Sequence, residues 1–428
     1  MAQKAFRIAA LSRPLAYALL AGLQFACASA PAPRDANAQS PAAPAPQGPL
    51  SPNTLQPFGA MGLATSAPSA PSAPPPPEPL GSGIPIDAKS SEKPAQSPSP
   101  KVARGNGTPA DQKLAQGDEA FARDDFAAAE KFYENASQLD RKDPAPIVGL
   151  VRARLSKNKV PSEYASAPKD KTLQNAIKEL KKAIALDAAY APAHLELGRA
   201  YLVEGRADLA MDALKRAVTL APSDAEAHSA LGVAHLSVGK LEDAVQELTR
   251  SAELEPGDAE RQANLGTALL AAGRVQPALL AYERAMKLAP QDARIRNDLG
   301  TAHLANNDPG RAITHLEAAV ATSPQKATYR SNLGYAFHLN KDLEKAIALY
   351  REALQIDAKL NSAWINLGNA LAQQGKYAEA RKAYEKAKEN DAADPRVKAV
   401  MDELDALEGK SSPKPRESNT GNSKPGNH

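Results

Sequence analysis

Read for its hydrophobic and polar positions, the chain repeats itself from about residue 110 onward. A Leu-Gly pair stands at Leu197-Gly198, Leu231-Gly232, Leu265-Gly266, Leu299-Gly300, Leu333-Gly334 and Leu367-Gly368, each step 34 residues. Twelve residues after each glycine comes an alanine: Ala210, Ala244, Ala278, Ala312, Ala346 and Ala380. Four further on is Leu214, Leu248, Tyr282, Leu316, Tyr350 or Tyr384, and three beyond that a second small residue. Between these marks apolar residues fall at i, i+3, i+4 and i+7, the signature of amphipathic helices. Pro222, Pro256, Pro290 and Pro324 close four of the units. Gly205, Gly239, Gly273 and Gly375 stand where a turn between two helices is expected, a place that favours a left-handed residue. Each unit therefore reads as a helical hairpin. Small residues let its two backbones approach, and a neighbouring hairpin buries the face it cannot bury alone.

The pattern extends both ways. Gly117, Ala129, Tyr133 and Ala136 repeat the spacings and give a first unit near 110–143. A second begins at Pro144-Ala-Pro-Ile-Val-Gly and resumes at Ala176, Leu180 and Ala183, around an insertion near 160–172 that reads as a loop. Pro395 opens a last helix, 395–408, with Val397, Val400, Met401, Leu404 and Leu407 on one face, suited to cap the final exposed core. The expectation is an all-α solenoid of about eight hairpins over 110–394 plus a capping helix.

These residues resemble the tetratricopeptide repeat, whose period and small–large pattern they match. The resemblance implies a right-handed superhelix with a concave groove lined by the first helix of each hairpin. It also implies a non-catalytic role in binding other proteins.

Composition changes the picture mainly at the ends. Of 36 prolines, 20 lie in residues 31–109. Residues 28–109 hold few large apolar side chains, too few to offset the entropy of ordering, and are expected to form a disordered Pro/Ala/Ser-rich linker. Residues 409–428 read as a disordered tail. Lys4, Arg7 and Arg13 precede an apolar stretch from Leu15 to Ala26, the layout of a secretory signal peptide and too short to span a bilayer. The sole cysteine, Cys27, ends that stretch. There it resembles the lipidated cysteine of a bacterial lipoprotein signal, although Gln24 and Phe25 depart from that pattern. Ala28 after the cysteine implies an outer-membrane lipoprotein. The alternative is an ordinary signal peptide, cut after Ala28 or Ala38, and a periplasmic protein. A net charge of +3 gives no field suited to nucleic acid.

Catalytic chemistry is not legible. One cysteine excludes a Cys-based zinc site, and the chain shows neither His-Glu-x-x-His nor a phosphate loop. No enzyme activity and no cofactor are expected. The histidines recur in repeat-equivalent columns, His194 with His228 and His235 with His303, and read as half-buried packing residues. The informative column precedes each Leu-Gly: Glu196, Ala230, Asn264, Asp298, Asn332 and Asn366. Asn264, Asn332 and Asn366 with Asp298 in line resemble the asparagine ladder of the O-linked N-acetylglucosamine transferase repeats, which grips peptide backbones. An amide donates and accepts at once, as a peptide group requires. Asn297, Arg294, Thr301, Tyr335 and Asn369 complete the expected groove. The two-lysine clamp of chaperone-binding members is not recognisable, its positions holding Leu195, Ser229, Ala263, Asn297, Ser331 and Ile365. The expected partners are peptide segments of other envelope proteins, and the membrane through lipid on Cys27. A self-associating structural protein or a regulatory subunit is the alternative.

Overall fold

A computed structural model describes residues 101–161 and 165–408. The signal peptide, Cys27, most of the linker and the tail lie outside them. Among the described residues there are seventeen helices and no strand. They form eight pairs and a cap. The first pair is α1 (Pro109–Ala122) and α2 (Phe126–Leu139), and the second is α3 (Ala145–Lys157) and α4 (Lys171–Leu186). Then come α5 (Ala191–Glu204) and α6 (Ala207–Leu220), α7 (Ala225–Ser237) and α8 (Leu241–Leu254), α9 (Ala259–Ala271) and α10 (Val275–Leu288). The last pairs are α11 (Ala293–Ala305) and α12 (Pro309–Thr322), α13 (Ala327–Leu339) and α14 (Leu343–Ile356), α15 (Asn361–Gln373) and α16 (Tyr377–Asn390). The cap is α17 (Pro395–Leu407). The eight expected hairpins and the terminal helix are all present.

Local chemistry starts and stops these helices. Asp224, Asp258 and Asp292, one repeat apart, each accept backbone N–H groups two and three residues on and cap α7, α9 and α11. The turn inside each hairpin uses a left-handed residue, glycine or not. Gly205, Gly239, Gly273 and Gly375 have positive φ, and where glycine is missing Asn307 (φ 58) and Lys341 (φ 66) adopt the same conformation.

The hydrophobic core runs along the stack between the two helices of each pair. Tyr133, Leu214, Leu248, Leu316 and Tyr350 are fully buried in it, one from each of five second helices. Each repeat glycine faces such a residue on a second helix, Gly266 facing Tyr282 and Gly368 facing Tyr384. A Cβ at Gly368 would lie 2.6 Å from Tyr384 Cδ1 and 2.8 Å from its Cζ. Gly149 does something different. A Cβ there would lie 2.6 Å from Cδ1 of Tyr133, the ring that Gly117 also faces. The glycine of α3 thus admits the preceding pair's tyrosine, not a side chain of its own partner helix.

Each first helix also touches the first helix of the next pair, so these helices share one continuous inner face. The insertion leans on that stack: the N–H groups of Ala165 and Ala167 donate to the Leu202 and Val203 carbonyls at 2.9 and 3.2 Å. The Val203 carbonyl lies in the last turn of α5, where intrahelical partners run out, while the Leu202 carbonyl also accepts the Gly205 N–H at 3.0 Å. At the far end, α17 buries Val397, Val400 and Leu404, while Met401 packs at the margin and Leu407 is exposed. Arg381 of α16 ties the cap down through Asp405 (2.5 Å) and Glu408 (2.7 Å). The linker expectation ran to residue 109, yet Val102 is buried at 1% exposure and joins the core of the first pairs.

Candidate functional site

The inner face is built from positions that recur on the first helices, and its two halves differ in chemistry. From α3 to α9 it carries a chain of charges that neutralise one another. Arg152 meets Glu196 at 2.7 Å, Glu196 meets Arg199, Arg199 meets Glu226, and Glu226 meets Arg261 at 3.0 Å. Arg152, Glu196 and Arg261 are buried. Burial pushes the Glu196 carboxyl up, but Arg152 and Arg199 together outweigh it and hold the group below its ordinary value. Sequence reasoning missed this network. Glu196 stood in the right column, but the insertion sets Arg152 44 residues away and hides the periodicity.

From α9 to α15 the face is one of amides, hydroxyls and aromatic rings. Asn264, Asp298, Asn332 and Asn366 come from α9, α11, α13 and α15 and keep their common register. Their hydrogen bonds run sideways from pair to pair. Asn332 Nδ2 donates to Asn297 Oδ1 at 2.8 Å, and Asn264 Nδ2 reaches Ser229 Oγ at 3.5 Å, the limit of a useful bond. Asn297 Nδ2 in turn donates to Asp298 Oδ1 at 3.1 Å. Asn366 is buried. Asp298 is the unsatisfied member. Its Oδ2 is buried without a hydrogen-bond partner, and the nearest cation, Arg294, stands 3.9 Å away. Burial pushes the Asp298 carboxyl up to about 6, with Arg294 and Asn297 opposing only in part.

The remaining expected residues divide. Tyr335 is half-buried on this face with its ring 6.3 Å from that of His338. Asn369 accepts the Tyr384 hydroxyl at 2.7 Å, the role that Asp118 plays for Tyr133 (2.9 Å). Thr301 is occupied within its own helix, its Oγ1 donating to the Asn297 carbonyl at 2.5 Å. That bond to the carbonyl four residues back is a common habit of threonine in helices.

The histidine columns are largely packing residues, with an addition. His194 and His228 place Nε2 at 3.0 and 3.1 Å from the carbonyls of Ala188 and Pro222, six residues back. Arg296 and Trp364, in the same column, make the equivalent contact with Pro290 and Ala358. At these positions the column clasps the inter-pair loop to the following helix. His235 and His303 are buried, and burial lowers both below the ordinary value. Among the described residues no group of His, Cys, Asp and Glu could hold a metal ion, and no helix is long and apolar enough to cross a membrane.

Comparison with known proteins agrees with the architecture. Family models of the tetratricopeptide repeat match residues 297–361 and residues 169–234, 204–269 and 337–404. No curated protein matches the sequence. Among solved structures, the Cut9–Hcn1 hetero-tetramer of the APC/C aligns with a TM-score of 0.52 and 17% identity over 70% of this chain. The alignment spans 57% of that protein's length. PilF of Pseudomonas aeruginosa aligns over 51% of this chain and 98% of its own, at 20% identity and a TM-score of 0.42. YrrB, a repeat protein with an unusual peptide-binding site, aligns over 49% of this chain and 97% of its own, at 20% identity and a TM-score of 0.37. At such identities the likeness is one of fold.

Proposed function

Because the chain is a tetratricopeptide-repeat protein, we propose that it is a non-catalytic scaffold of the bacterial cell envelope, holding extended peptide segments of other envelope proteins on the amide half of its inner face. The repeats themselves make it a protein-interaction module. The observation that carries the finer reading is the contrast between the halves. The charges from Arg152 to Arg261 are matched to one another, whereas the face from α9 to α15 keeps Asp298 Oδ2 without a donor. A peptide N–H is the group that such an oxygen lacks, and Asn264, Asn332 and Asn366 flank it at repeat intervals. Arg294, Asn297, Tyr335 and Asn369 border the same stretch.

The envelope assignment rests on the signal-like N-terminus and on Cys27, where lipid would attach to anchor the repeats to the outer membrane. Replacing Cys27 with Ser tests it: the variant should leave the membrane fraction, and full retention there would sink the lipid anchor. For the groove, the full chain serves as bait on detergent-solubilised envelope beside a variant with Asn264, Asn332 and Asn366 changed to Ala. A partner kept by the wild type and lost by the variant supports the reading. Equal capture on both would favour a convex-face or self-associating scaffold, which sedimentation at micromolar concentration would show as an oligomer.

A further inference from the structure

The inner face of the first pairs is already occupied by the chain itself. Residues 101–108 precede α1 and belong to no helix. Their three consecutive N–H groups nevertheless converge on two carboxylates. Val102 donates to Asp118 Oδ2 at 3.0 Å, Ala103 donates to the same oxygen at 3.0 Å, and Arg104 donates to Asp111 Oδ1 at 2.6 Å. Asp111 and Asp118 are seven residues apart on α1, two turns, and so lie on one side of it. Both sit in the register that on α5 holds Arg199 and on α7 holds Glu226, the register of the inner face.

Side chains complete the fit. Val102 is 1% exposed and packs into the core of the first pairs. The Arg104 guanidinium pairs with Asp143 at 2.9 Å and lies over the Tyr190 ring, 4.8 Å from its centroid. Asp143 precedes α3 and Tyr190 precedes α5, so the three residues Val102–Arg104 are gripped by elements of three successive pairs. Backbone N–H groups on carboxylates, an aliphatic side chain in a pocket and an arginine between an acid and a ring are the elements of peptide recognition.

We propose that the inner face over α1 to α5 is a second peptide site, specific for a short apolar–small–arginine segment and held closed in cis by Val102–Arg104. It stands apart from the amide stretch proposed above and does not depend on it. Partners are confined to the C-terminal half while the segment stays seated. A competing peptide of the same chemistry displaces the segment and opens the N-terminal half.

The experiment uses the full chain and a fluorescent peptide copying residues 99–107 in trans. Val102→Asp sets a third carboxylate beside Asp111 and Asp118 and should unseat the segment. The peptide is then expected to bind Val102→Asp at least tenfold more tightly than wild type, and adding Asp118→Ala should abolish that binding. Hydrogen exchange on the wild type gives an independent reading. The amides of Val102, Ala103 and Arg104 should exchange at least tenfold more slowly than those of a free peptide, and Asp118→Ala should release Val102 and Ala103. Equal peptide binding to wild type and Val102→Asp would overturn the proposal. So would no binding to a folded Val102→Asp chain, or free-peptide exchange rates in the wild type. A wild-type dimer that dissolves in Val102→Asp would also overturn it, assigning the segment to a second copy.

Discussion

Gly368→Ala tests the close approach of α15 and α16. Carbon atoms in contact sit about 3.5–4.0 Å apart. The new methyl would stand 2.6 Å from Tyr384 Cδ1 and 2.8 Å from Cζ, an overlap of about 1 Å. The ring cannot simply turn away. It is 3% exposed, and its hydroxyl donates to Asn369 Oδ1 at 2.7 Å. Overpacking of this kind costs about 1–3 kcal/mol, and giving up the hydroxyl bond adds about 1. Alanine returns about 1 kcal/mol through its better helix propensity. A net loss of about 1–3 kcal/mol remains. Urea unfolding would read it, followed by the fluorescence of Trp364, the chain's only tryptophan and itself on α15. Gly257→Ala is the control, because nothing lies within 4 Å of a Cβ there and its φ is not positive. It should leave the midpoint unchanged or raise it slightly. A Gly368→Ala chain as stable as wild type would refute the packing argument and the register built on it.

Three further substitutions follow from the structure. Asp298→Asn should stabilise the protein at pH 7.5 by up to about 3 kcal/mol, from a carboxyl raised from 3.8 to about 6 at 1.36 kcal/mol per pH unit. Protonation favours the folded form of this raised acid, so wild type loses ground as pH climbs from 3.8 to about 6. Urea midpoints should therefore separate the two proteins at pH 7.5 and converge below pH 3.8, and an equal gap at both would be the wrong outcome. Lys341→Gly should raise stability by about 1 kcal/mol by relieving a left-handed lysine at φ 66, and an unchanged melting temperature would count against that strain. Glu196→Ala leaves Arg152 buried without its carboxylate and should cost about 3 kcal/mol, while Arg152→Leu in the same chain should recover part of it; strict additivity of the two losses would show that the pair is not coupled.

The fold was legible because its marks are steric. A glycine facing Tyr384 or Leu214 tolerates no Cβ, so it stays at its place in every regular unit and announces the period. In the second pair, Gly149 answers to Tyr133 of the pair before, a relation that only stacking reveals. The site was legible as a column and not as a network. Asn264, Asp298, Asn332 and Asn366 could be aligned by counting, but Asn332 bonds to Asn297, 35 residues earlier on another helix. Thr301 carried a local signal, the carbonyl four residues back, that would have removed it from the groove. The seating of Val102 escaped because a lone valine in a proline-rich stretch carries no periodicity.

The pairs are joined in series, and that has a mechanical consequence. A protein tethered at its N-terminus and gripped by a client farther along carries any tension through every junction in turn. The load is the same at each, so the thinnest junction yields first. Among the junctions between one pair and the next, the sparsest is that of α10 with α11. Pulled hard, the stack would part there like a fuse. If the chain is anchored and loaded as proposed, the charge-stitched half would stay on the tether side and the α11–α17 half with the client.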